Sequence, residues 1–97
     1  MIERHVTFNV IPGKEKDFET LFKNEYSVAM SKQLGFISVT LLKEHEKDAV
    51  YQMVIRFQSL ETAAAWRDSS DHKALSPKIK ALYKENTVQV YEVIAQK

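Results

Sequence analysis

Two side chains with chemical reach lie close together: the only tryptophan, Trp66, and one of three histidines, His72, six positions on. They belong to the stretch AAAWRDSSDHKAL, Ala63 to Leu75. The three alanines before Trp66 leave room for a large ring. That ring can pack into a core or form a flat wall for a planar ligand. His72 follows Ser69-Ser70-Asp71, a step that reads as a helix boundary. An imidazole titrates near neutral pH, which suits it to take a proton from a substrate. At a helix start the same residue can instead be held by local hydrogen bonds. Both readings of both residues stand at this point.

Phe22 and Tyr26 are further aromatic candidates for a ligand wall. Tyr51 and Arg56 fall on opposite parities of one alternating stretch, so only one of them can face a given side of a sheet. Either suits the orientation of an anionic or phenolic oxygen. His5 shares its parity with Thr7 and Asn9 and can face solvent or a partner. His45 lies in KEHEKDA without a second histidine nearby, so a solvated turn is the better reading than a metal site. Glu44 and Glu46 belong to that same turn. The SSDH residues are too close in sequence for a Ser-His-Asp triad, and two glycines make no phosphate loop. With no cysteine there is no disulfide frame, thiolate metal site or thiol nucleophile. No metal and no cofactor is expected.

These side chains must be positioned by one small domain of 97 residues. A chain this long buries roughly two thirds of its unfolded surface, enough for one modest core. Hydrophobic residues at 44% and charged ones at 28% are ordinary globular values and argue against disorder. Fourteen basic against 13 acidic residues leave a formal charge of +1, which steers the protein to neither nucleic acid nor an anionic membrane. The start, MIERHVTFNVIPGK, lacks the charged-then-apolar design of a secretion signal, and no apolar run approaches the ~20 residues of a membrane span. A cytoplasmic setting is expected.

Ile2, Val6, Phe8 and Val10 share one parity, broken by Arg4, which predicts a strand over 2–10 that Pro12-Gly13 ends. Phe18, Leu21, Phe22, Tyr26, Ala29 and Met30 recur at three and four, so 14–32 predicts an amphipathic helix of about five turns. Gly35 suits the positive φ of a chain leaving a helix. Strands over 36–44 and 50–57, joined by the short polar HEKDA, predict an antiparallel hairpin. Ser59 offers an N-cap and Glu61 a first-turn acid for a helix to about Asp68. A turn restarts at His72, and Ser76-Pro77 predicts a further helix start with Ile79, Leu82 and Tyr83 facing inward. The last strand is expected over 87–95. The order β-α-β-β-α-β predicts a ferredoxin-like α+β fold, an antiparallel four-stranded sheet with helices on one face.

The face without helices should be polar in a monomer. Yet Ile37, Val39 and Leu41 oppose Phe36 and Leu42 in one strand, Val50 and Val54 oppose Tyr51, Met53, Ile55 and Phe57 in the next, and Tyr91 and Val93 oppose Val88, Val90 and Ile94 in the last. Roughly five to seven large apolar side chains then lack helix cover, each forfeiting about 1.5–3 kcal/mol of burial. A homodimer, sheet against sheet, is the expected solution.

The segments FNVIPGKEKDFETLF, LGFISVTLL, YQMVIRFQSLETAAAW, SSDHKAL and VQVYEV, in this order and spacing, resemble the antibiotic biosynthesis monooxygenase (ABM) family of the dimeric α+β barrel superfamily. The resemblance covers essentially the whole chain. It implies a sheet-to-sheet dimer and, in each subunit, a pocket between sheet and helices. It also implies a pocket-lining role for Trp66, and His72 matches the family's Ser/Thr-Pro/Asp-His-Lys segment. Some members oxygenate polycyclic phenols or quinols with dioxygen and neither metal nor flavin; others degrade haem. Similar haem-degrading enzymes use an asparagine on the first strand, a tryptophan on the second helix and an axial histidine about three turns later. Here Val6 and Ser76 stand at the asparagine and histidine positions, and Asn9 has the wrong parity to substitute. Only Trp66 matches.

Two functions follow as expectations. One is a cofactor-independent monooxygenase acting on a planar phenol- or quinol-like ring, with His72 as base and Trp66, Phe22, Tyr26, Tyr51 or Arg56 about the substrate. The other is a binding or accessory protein with the same pocket and no chemistry.

Overall fold

A computed structural model describes residues 1–97. Strand β1 (Ile2–Val10) follows its alternation: Ile2, Val6, Phe8 and Val10 are buried, and the opposite parity is half-buried. The chain turns through Gly13, whose φ of 93° suits glycine. It then enters helix α1 (Glu15–Leu21), a π-helical stretch (Phe22–Tyr26) and α2 (Ser27–Ser31), end to end. The Ser27 N–H reaches back to the Phe22 carbonyl, the wider spacing of a π turn. Phe18, Leu21, Phe22, Tyr26 and Met30 are buried along the whole inner face.

Gly35 is doubly required. Its φ is 82°, and a Cβ there would stand 2.5 Å from the Thr62 side chain. Thr62 in turn closes a reciprocal capping box with Ser59 at the start of α3 (Leu60–Asp68). Strands β2 (Phe36–Lys43) and β3 (Val50–Phe57) form the expected hairpin. One feature departs from strict alternation. The register shifts between Phe36 and Ser38, so Phe36 pairs with Phe57 and joins Val39 and Leu41 against the core. A bulge inserts one residue and restores the side that period two would have denied Phe36.

Helix α4 (Ser70–Lys80) begins directly after Ser69, whose extended φ/ψ and side-chain oxygen cap it. It does not restart at Ser76-Pro77. Pro77 lies inside α4, giving up one backbone bond, while Leu75 and Ile79 on either side are buried. The last strand also begins earlier than expected. β4 (Tyr83–Glu92) takes in Tyr83, which packs edge-on against Phe8 at 5.1 Å instead of extending the helix.

All strand pairs are antiparallel, in the order β2-β3-β1-β4. This is the ferredoxin-like α+β arrangement, with every helix on one face. The core lies between, with Trp66, Tyr51, Phe18, Phe57, Met30, Met53 and Val10 its most enclosed side chains. The uncovered face is less oily than the sequence suggests. Glu3, His5, Thr7, Gln52 and Arg56 occupy its middle, with Leu42, Val54 and Tyr91 among them. Part of the apolar excess sits elsewhere. Val88 and Val90 pair with Val6 and Arg4 on the helix side, where edge strand β4 leaves them about half exposed, at 47% and 51%. No helix is long and apolar enough to cross a membrane.

Candidate active site

Between the sheet and the helices, toward β4, lies a cavity of about 220 Å³. β1 contributes Arg4, Val6 and Phe8 to it, the π turn Tyr26, and α4 His72, Ser76 and Lys80; Tyr83, Asn86 and Val88 of β4 close the far side. The position of His72 follows from the cap. Ser69 donates its hydroxyl to the Trp66 carbonyl at 2.6 Å and accepts the His72 N–H at 3.1 Å. That pair of bonds turns the chain sharply, and the imidazole comes back over the tryptophan. The two rings meet edge-on, 5.0 Å apart at 86°. Tyr26 meets the same indole edge-on at 5.5 Å and lies 6.2 Å from His72.

Trp66 is 1% exposed and is absent from the cavity surface. It is a core residue that backs the site and sets the orientation of the two rings in front of it. His72 stands at the helix start, its N–H bonded to the Ser69 cap, and its side chain lines the cavity.

Burial, then the charges of Arg4, Arg67 and Lys80, hold the imidazole below its usual range, with Asp68 opposing. The ring is therefore neutral at neutral pH and able to accept a proton. Burial pushes the Tyr26 hydroxyl up to about 12, with Arg4 pulling the other way and Tyr83 adding to the rise. It remains a neutral donor. Arg4 itself is depressed by burial and by Arg67. Its Nε is enclosed and has no hydrogen-bond partner.

The other candidates lie elsewhere. Arg56 is on the uncovered face of the sheet, where its Nε donates to Glu3 at 2.6 Å, and Glu3 also holds His5. A substrate-binding role for Arg56 in this cavity fails on parity: Tyr51 took the helix side. Tyr51, however, opens on a different hollow. It lines a wide groove of about 460 Å³ with Phe22, Glu19, Val39, Leu41 and Lys43, sharing no residue with the His72 cavity. Its hydroxyl donates to Glu19 at 2.5 Å. Phe22 and Tyr51 thus do not join Tyr26, His72 and Trp66. The groove is larger, but it is open to solvent and its one buried polar group is already paired. The smaller cavity holds a free base and an unpaired cation. Val6 and Ser76, the positions tested for haem ligation, do line it, whereas Asn9 points away and bonds Glu85. No three His, Asp or Glu side chains converge anywhere in the fold.

Arg4, not among the candidates above, also lines this cavity. Its signal was present: a lone charge on the apolar parity of β1.

A four-stranded antiparallel sheet with helices on one face and an internal cavity defines a class also seen in known structures. The chain belongs to the antibiotic biosynthesis monooxygenase family, whose profile matches residues 1–78. No match to a curated protein reaches significance. Among solved structures, it is similar to SnoaB, a cofactor-independent oxygenase from Streptomyces nogalater, at 19% identity. That likeness covers 98% of this chain and 94% of SnoaB, with a TM-score of 0.89. It is also similar to a conserved protein from Methanosarcina mazei Go1, at 21% identity over 93% of this chain and 89% of that one, TM-score 0.84. At such identities the likeness establishes the fold.

Proposed function

We propose that the protein is a small monooxygenase that uses dioxygen without a bound cofactor, on a planar hydroxylated aromatic held in the His72 cavity. The observation that carries this is an imidazole fixed edge-on to Trp66, held below its usual titration range, and facing the same cavity as Arg4 and Tyr26. Family membership and the fold shared with SnoaB support it.

His72 takes the phenolic proton. The Arg4 guanidinium, in the wall of the cavity, stabilises the resulting phenolate where its charge develops. The electron-rich ring passes an electron to dioxygen, a carbon–oxygen bond forms, and the peroxide loses water. A phenol and dioxygen give a quinone and water, so the substrate supplies every electron. Tyr26 and the apolar floor of Val6, Phe8 and Ile79 hold the ring.

Two chains are proposed to pair through the uncovered sheet face, where Ile37, Leu42 and Tyr91 are 43%, 47% and 44% exposed. Sedimentation at micromolar concentration should give a two-chain particle; a single 11.2 kDa species refutes the pairing.

Oxygen uptake with a panel of phenols, naphthols and quinols tests the chemistry. His72→Ala should lower turnover about a hundredfold or more while leaving the fold intact. Ligand-dependent thermal stabilisation with no oxygen uptake by the wild type would establish a binding protein instead.

A further inference from the structure

The charges around the His72 cavity all have one sign. Arg4 stands on its floor, Arg67 and Lys80 at its margin, and the remaining polar lining is neutral: Tyr26, Ser76, Tyr83 and Asn86. No carboxylate lines it. The basic side chains elsewhere that find acids are Arg56, Lys78 and Lys47, with His5 and His45. Arg4, Arg67 and Lys80 find none. Asp68 acts on the site only from a distance.

This arrangement is costly without a ligand. Arg4 and Arg67 repel, and the Arg4 Nε is enclosed with its hydrogen unpaired. Any acid in the wall would relieve this, and none is there. A guanidinium offers parallel donors that match the two oxygens of a carboxylate.

We infer that the cavity selects a substrate carrying a carboxylate on a small aromatic system of one or two rings, with Arg4 as the residue that receives the acid group. The inference rests on the cavity being the ligand site proposed above. Size supports it: 220 Å³ equals about seven waters of liquid volume and lies below the roughly 300–1,000 Å³ of ordinary drug-sized sites. Arg67 and Lys80, both exposed, stand where they attract an incoming anion.

The test compares acids with neutral isosteres: salicylate against salicylamide, and hydroxynaphthoate against hydroxynaphthamide, by calorimetry at low and moderate salt. The wild type should bind each acid about tenfold or more tightly than its neutral partner, as a charge-assisted pair requires, and the preference should shrink with salt. Arg4→Met should bring the affinity for each acid down to that of its neutral partner. Arg67→Gln should weaken the acid only a fewfold. If Arg4→Met does not fold, Arg4→Lys serves: it keeps the charge, loses the fork, and should lose most of the preference. Equal binding of acid and isostere by the wild type overturns the inference, as does a preference that survives Arg4→Met. The two proposals separate cleanly. Oxygen uptake with naphthol but no acid preference leaves the oxygenase and removes the inference. Acid preference without oxygen uptake does the reverse, and binding of none of the four removes both.

Discussion

The single tryptophan lies in ring contact with the proposed base, which lets the state of His72 be followed optically. Burial and three neighbouring cations depress this imidazole, so folding makes it harder to protonate. Between the lowered folded value and the ordinary 6.5, the unfolded chain binds more proton than the native one. Stability therefore rises with pH across that window. The contribution is complete above 6.5 and is lost as the pH falls below it. For one proton the slope is at most about 1.4 kcal/mol per pH unit, and partial exposure of the ring reduces it. The assay has two arms. Trp66 emission, quenched by a protonated imidazole at contact, should titrate with a midpoint below 6.5, and His72→Gln should abolish the step. Urea unfolding of wild type and His72→Gln at several pH values should give curves that diverge as the pH falls below 6.5, the wild type losing more. A midpoint at or above 6.5, or parallel stability curves, would refute the placement of His72 among those charges.

Other outcomes follow from the packing. Trp66→Ala should cost about 3–5 kcal/mol, as for a buried large-to-small change, and lower Tm by about 4–8 °C per kcal/mol on a domain of this size. Circular dichroism reads it, and a loss under 1 kcal/mol would contradict the core assignment. Gly35→Ala should cost at least about 1–2 kcal/mol from its left-handed φ, and more from the Thr62 approach; urea midpoints would show this. Arg56→Ala should leave ligand affinity of the His72 cavity unchanged in calorimetry, because Arg56 lies on the other side of the sheet.

Much of the fold was legible because period and punctuation agree. Tyr51, Met53, Ile55 and Phe57 alternate without a fault, and β3 has the bounds its pattern gave. Gly35 and Ser59 announced a positive φ and a cap, and both serve so. The departures are places where tertiary packing outweighs a local signal. Pro77 reads as a helix start, yet burial of Leu75 and Ile79 carries α4 through it. The bulge beside Phe36 is invisible to a count of parity. The site was half legible. Trp66 and His72 stood out by type and spacing, and a serine cap between them supplies the turn that brings their rings together. Phe22 and Tyr26 are one turn apart on the same inner face, yet they open on different hollows. Spacing alone cannot separate them, since the division depends on which strand lies opposite. Arg4 breaks the apolar parity of β1, and period alone does not say that the side chain enters a cavity beside His72.

The most direct check is a crystal structure of the protein with naphthol or hydroxynaphthoate. Ligand density is expected between β1 and α4, with the phenolic oxygen toward His72 and any carboxylate on Arg4. Ligand seated instead in the groove beside Phe22 and Tyr51, with the His72 cavity filled by the protein's own side chains, would contradict it.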